Sequence, residues 1–302
     1  MKLLSIILFL FTILNASSTQ EQKTIAFAQD NMANDFRRAQ VHEVRDALQN
    51  HKNIKFVHSD ARGQTSLLIR QIEKFIQAKV DVLILGTNDS RSVVPVVKKA
   101  YDSGIAVIVL DRGINSSDYT TFINSDNIKI GVIAADYIAK RINKKGKVLL
   151  LEGLQTADVT QHRSKGFLDE ITKYNEIEVI KRTGNYLRKD AIIEMEKLLK
   201  SEIKIDAIFS ESDSMLSGVR TVLKKQNMSP ASMVSVGCDY TKEAQEAISQ
   251  GNQDASILYP LGGKMAAEVA LKLVNNQKVM RHISIPVVLV TKENIDIIRP
   301  IF

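Results

Sequence analysis

The run Ala106-Val107-Ile108-Val109-Leu110 contains no polar residue and closes directly in Asp111-Arg112. An uninterrupted apolar run of strand length fits a parallel strand buried on both faces, which requires helices on either side of its sheet. The surrounding chain supplies them. Strand signals at Thr24–Gln29, Ile54–Ser59 and Val80–Leu85 alternate with helical ones at 36–48, 66–77 and 93–101. In the second helix Leu68, Ile69, Ile72, Phe75 and Ile76 recur at helical spacing. This βα repetition predicts an α/β fold with a parallel sheet.

After a strand at 119–125 the pattern begins again. Helices are expected at 128–142, 162–174, 191–199, 215–225, 242–249 and 264–274. Strands are expected at 147–152, 178–182, 206–210, 233–236, 255–258 and 285–290. Two doubly wound, Rossmann-like halves fit that count better than one oversized sheet, and the 302-residue length agrees with two domains. No Pro- or Gly-rich linker separates the halves, so ordered crossings must join them.

The first segment is different in kind. Lys2 precedes an apolar stretch, Leu3–Leu14, followed by the small residues Asn15-Ala16-Ser17-Ser18. That order reads as a secretory signal over residues 1–18, too short to span a bilayer comfortably. No cysteine follows it to carry a lipid. The single cysteine, Cys238, cannot form an intramolecular disulfide and reads as a small core residue.

Composition removes several functions. The apolar share of 44% and charged share of 25% exclude a disordered chain. The net charge of +7 is scattered along helices beside acidic residues rather than gathered into a stripe, so no nucleic acid is expected. The five histidines lack the spacing of a metal site, and no G-x-S-x-G, G-x-G-x-x-G or Walker lysine is present. The chain therefore reads as a non-enzyme without metal or cofactor. Gly262-Gly263-Lys264 reads as a turn opening a helix.

Polar residues at strand ends carry the remaining signal. In open α/β sheets ligands bind outside the carboxyl ends of the strands. Asp111-Arg112 and Asp239 stand directly at such ends and are assigned to ligand contact, whereas Asp89 and Asp213 are assigned to capping. Phe36 offers an apolar platform of the sort a sugar ring packs on. Arg37 and Arg163 offer forked donors suited to hydroxyls or carboxylates.

In combination, several stretches resemble the periplasmic sugar-binding proteins of the ribose and galactofuranose type, partners of ABC importers. They include Gln77–Ile84, Gly104–Arg112, Ser125-Asp126-Asn127, Ala135–Lys140, Arg163–Phe167 and Val236–Asp239. The resemblance implies two lobes joined by a three-crossing hinge, with a sugar held between them. One lobe would hold residues 23–125 plus 260–288, and the other 126–259 plus 289–302. It further implies a monomer in the periplasm that delivers its sugar to an inner-membrane permease. A sensory relative would instead present the ligand to a chemoreceptor or sensor kinase. A repressor sharing this core would need a DNA-binding helix-turn-helix at its N-terminus, where the signal segment stands.

By position, Asn34, Phe36, Asp111, Arg112, Ser125, Arg163 and Asp239 match ligand-contacting residues of that family, and Tyr186 stands where it places a stacking phenylalanine. Against the ribose branch, Gly86 replaces an asparagine, Arg37 a second phenylalanine, Ser212 an asparagine and Tyr259 a glutamine. The departures point away from ribose toward another small sugar, a furanose or an acidic or modified ligand, because Arg37 adds a permanent cation.

Overall fold

The computed structural model describes residues 21–302; the expected export signal over 1–18 lies outside the described residues. The first half runs β1 (Lys23–Gln29), α1 (Asp35–Leu48), β2 (Ile54–Asp60), α2 (Thr65–Gln77), β3 (Val82–Gly86), α3 (Val94–Asp102), β4 (Ala106–Leu110) and β5 (Thr121–Asn124). The second runs α4 (Asn127–Arg141), β6 (Lys145–Glu152), α5 (Asp158–Ile171), β7 (Glu176–Thr183), α6 (Arg188–Lys200), β8 (Ala207–Ser210), α7 (Asp213–Lys225), β9 (Val234–Asp239), α8 (Lys242–Ser249) and β10 (Ala255–Leu258). The chain then returns through α9 (Gly263–Val274) and β11 (His282–Ser284) to β12 (Val288–Thr291).

Among the described residues these strands form two six-stranded sheets, ordered β11-β5-β4-β3-β1-β2 and β12-β10-β9-β8-β6-β7. Leaving out the edge strands β11 and β12, the two orders are the same winding repeated. Every pairing is parallel except β10 with β12. Alternate residues of β3 and β4 feed opposite layers. Val82, Ile84 and Ile108 pack with α1 and α9, while Leu83, Leu85, Val107 and Val109 pack with α2 and α3. In the second sheet α4 and α5 cover one face, and α6 and α7 the other. Because both faces are covered, the inner strands β3 and β4 show no polar alternation, which is why their apolar runs read so clearly, whereas the edge strands β2 and β7 do alternate.

Two expectations need correction. The single strand expected over 285–290 begins only at Val288, as β12, and β11 at His282–Ser284 precedes the expected span. Ile285 donates its N–H to the Asn124 carbonyl at 2.8 Å, and Pro286 then offers no donor to continue a ladder. The chain crosses to the other lobe, where Val288, assigned by resemblance to the first lobe, pairs with Leu258. The helix expected over 162–174 spans Asp158–Ile171 instead. Three segments thus cross between the lobes: 125–126, 259–262 and 285–287.

Candidate binding site between the lobes

The residues that end the strands of both sheets meet in one small chamber. It is lined by Asn34, Phe36, Arg37, Asp111 and Arg112 from the first half and by Val159, Arg163, Tyr186, Ser212, Asp239 and Tyr259 from the second. Local structure aims each of them. Asn34 caps α1, its Oδ1 accepting from the Arg37 N–H at 3.0 Å, which sets Phe36 and Arg37 on the first turn. Asp111 and Asp239, at equivalent strand ends of the two lobes, both have positive φ, 70° and 111°. Aspartate is among the few residues that tolerate this region, and the turn it makes there directs the carboxylate off the end of the sheet.

In the first lobe the charges are interlocked. Arg37 forms an ion pair with Asp111 and donates to Gln40 Oε1 at 3.0 Å. Arg112 reaches Asp30 Oδ2 at 3.0 Å. Burial works to raise the Asp111 carboxyl, but Arg37 and Arg112 outweigh it and hold the group below the usual carboxylate range. Arg37 is therefore compensated by a carboxylate rather than standing as a free cation, which removes the reason for expecting an acidic ligand. Asp30, which anchors Arg112, was not singled out in the sequence.

The second lobe presents the opposite arrangement. Asp239 is 5% exposed, and among the described residues no group hydrogen-bonds to its carboxylate. Burial pushes that carboxyl well above its ordinary range, and Arg163 offsets only part of the effect. Arg163 is fixed by its Nε on Asn127 Oδ1 at 2.8 Å and by its Nη1 on the Glu211 carbonyl at 2.6 Å. Its guanidinium lies 4.5 Å from the Tyr259 ring centre, and the Phe36 ring lies 5.5 Å from the same ring. Arg112 faces Tyr186 at 5.2 Å, so aromatic and guanidinium planes alternate around the chamber.

Direct bonds hold the lobes together across it. Asn34 Nδ2 donates to the Tyr186 carbonyl at 2.9 Å, and the Tyr259 hydroxyl bonds Asp111. Nearer the rim, the Gly113 N–H donates to Asp158 Oδ2 at 2.8 Å, and Thr156 Oγ1 donates to the Asn88 carbonyl at 2.8 Å.

Ten of the eleven candidate residues named from sequence line the chamber. Ser125 does not; it stands in the first crossing, its Oγ buried without a partner among the described residues. Ser212 lines the chamber and also caps α7, accepting from the Met215 N–H at 3.2 Å. Val159 was missed because the expected α5 began after it. Asp89 does not cap α3, whose N-cap is Val93; it closes the turn before that helix, accepting from the Arg91 and Ser92 N–H groups at 3.0 and 2.9 Å. Asp213 does not cap. Its carboxylate accepts from the Tyr240 N–H at 2.7 Å, Ser256 Oγ at 2.6 Å and Gln253 Nε2 at 2.9 Å, pinning the turn that carries Asp239. Cys238 is fully buried in the core.

Two doubly wound lobes with a polar chamber between their strand ends define a two-lobed solute-binding protein. The chain belongs to the periplasmic binding protein family, whose domain profile matches residues 25–278. It is 30% identical over 244 residues to a ribose import binding protein of Bacillus subtilis, covering 80% of this chain and 79% of that one. To a galactofuranose-binding protein of Escherichia coli it is 26% identical over 243 residues, covering 78% and 76%. A solved ABC transporter solute-binding protein of Bacillus halodurans with bound myo-inositol superposes with a TM-score of 0.87 at 26% identity, covering 93% of this chain and 98% of that one.

Proposed function

We propose that this protein is exported by its N-terminal segment and, as a monomer in the periplasm, closes over one small neutral polyol or sugar and delivers it to an ABC permease of the inner membrane. The observation that carries the reading is Asp239, a buried carboxylate facing the chamber that has no hydrogen-bond partner among the described residues. Such a group is costly unless a donor completes it, and a sugar hydroxyl is a donor that can also accept from Arg163 or Arg112. Phe36 and the tyrosines supply flat apolar surface for the C–H face of a ring. Binding without chemistry is the whole task, as in the binding-protein family to which the chain belongs.

Ligand would touch both lobes only when they are closed, so its binding energy shifts the hinge toward the closed form. Relatives that bind ribose and galactofuranose are named for import or sugar capture, which favours transport over presentation to a sensor. A thermal-shift screen of sugars and polyols followed by calorimetry tests the reading. Asp239→Ala should weaken the best ligand by roughly tenfold to a hundredfold, the worth of hydrogen bonds to a charged group, while the ligand-free protein melts no lower than its parent. Unchanged affinity would reject Asp239 as the grip.

A further inference from the structure

We infer that Tyr240, gripped by the segment 295–302, is a positioning residue for the chamber: it holds the Asp239 carboxylate at its station without lining the chamber itself. The inference rests on the reading of Asp239 as the grip on the guest and adds what keeps that grip in place. Asp239 and Tyr240 are consecutive, and both have positive φ, 111° and 60°. Aspartate tolerates that region, whereas a bulky aromatic residue there is an outlier. Such a backbone persists only where the surroundings impose it. Tyr240 is fully buried and does not line the chamber, so contact with a guest is not what imposes it.

The imposing contacts come from two sides. From within the lobe, the Tyr240 N–H is shared between Asp213 Oδ2 at 2.7 Å and Ser256 Oγ at 3.0 Å. From the other side, the chain after β12, which forms no further helix or strand, supplies the rest. Ile301 donates its N–H to the Tyr240 carbonyl at 3.0 Å, and the Tyr240 hydroxyl donates to the Ile298 carbonyl at 3.1 Å. Two residues on, the Lys242 N–H donates to the Phe302 carbonyl at 2.7 Å, which fixes the start of α8. Every polar group of Tyr240 is thereby engaged, half of them by a segment that touches no part of the chamber. A binding group has to stay within about 0.5 Å of its working position. Without the strap, the Tyr240 backbone is free to leave its strained region and carry the preceding carboxylate with it.

Calorimetry on the full chain with ribose, arabinose, galactose and myo-inositol provides the test, repeated on a variant lacking residues 299–302, on Tyr240→Phe, and on each of these combined with Asp239→Gly. The deletion removes the Ile301 N–H and the Phe302 carbonyl, and Tyr240→Phe removes only the hydroxyl tether. Glycine adopts the Asp239 backbone without strain while lacking the carboxylate. For the sugar that the unaltered protein binds most tightly, the deletion should weaken binding roughly tenfold and Tyr240→Phe about threefold, the worth of one or two hydrogen bonds. In the Asp239→Gly background each loss should shrink below about twofold, since a strap that acts through the carboxylate then has nothing to position. Parent-like affinity in the folded deletion variant, or equal losses in both backgrounds, overturns the positioning role while leaving sugar capture intact. If Asp239→Gly alone binds every sugar as the parent does, the grip reading itself fails and the positioning role goes with it. Failure of all four sugars to bind the unaltered protein rejects the sugar reading and this inference together. Should the deletion variant not fold, Tyr240→Phe in the two backgrounds decides alone.

Discussion

Below Tyr186 a single hydroxyl lies between two buried carboxylates: Ser164 Oγ is 2.7 Å from Glu152 Oε1 and 2.9 Å from Glu211 Oε1. One hydroxyl proton can serve only one of them. Lys181 compensates Glu152 at 2.9 Å, and Glu211 is the group left to take up a proton. Burial pushes its carboxyl up to about 7, despite the Gly153 N–H and Arg163 favouring the charged form. A carboxyl raised on folding stabilises the fold fully below its unfolded value and loses that contribution as pH rises toward 7. Glu211→Gln should therefore flatten the fall in melting temperature between about pH 4.5 and 7. It should stabilise the protein above pH 7 by up to the order of 3 kcal/mol. A pH profile parallel to the parent's would refute this. At Asp239 the same logic applies to binding. A guest's hydroxyls favour the ionised form, so ligation should release a proton near and below the raised value, with affinity falling as pH falls; calorimetry in buffers of different ionisation heat measures it. Asp111 and Asp239 were legible in sequence because each ends an apolar strand. Asp30, Glu211 and Asp213 were not, because their roles depend on partners brought close only by the folded chain.

At the level of elements, the position of Arg163 depends on how closely α4 and α5 approach. A methyl on Gly131 would meet the Arg163 carbonyl and Phe167 amide, and one on Gly166 would meet the Ile128 carbonyl, all inside van der Waals contact. Gly166→Ala should push α5 off α4, costing about 1–3 kcal/mol and withdrawing Arg163 from the chamber. A lower urea midpoint together with weaker ligand binding is the expected result; a parent-like midpoint would show that the helices give way freely. Element type was legible because covered parallel strands are apolar throughout and the helices carry their own period. Boundaries were less so. The start of α5 lacks a side-chain cap on Ala157, leaving no local signal to place it. The break at Pro286 was hidden because Ile285, Val287 and Val288 continue an apolar run on both sides of it.

For the molecule as a whole, closure is held partly by groups outside the chamber. The Gly113 to Asp158 bond joins the lobes near the rim, and a Cβ on Gly113 would stand 2.8 Å from Asp158 Oδ2 and 3.4 Å from Phe122 Cζ. Gly113→Ala should weaken ligand binding roughly three- to tenfold, the worth of about one hydrogen bond, and reduce the ligand-induced contraction seen by X-ray scattering. Full contraction with parent-like affinity would rule out a part for this contact in closing. The repeat of βα units made two halves legible, but the closed arrangement was not, since its contacts join residues as distant as Asn34 and Tyr186. The returning segment has one more consequence. Because β11 completes one sheet and β12 the other, a ribosome must pass residue 284 before the first half, and residue 291 before the second, can acquire its last strand. Until then each half of the nascent polypeptide keeps one sheet edge unpaired.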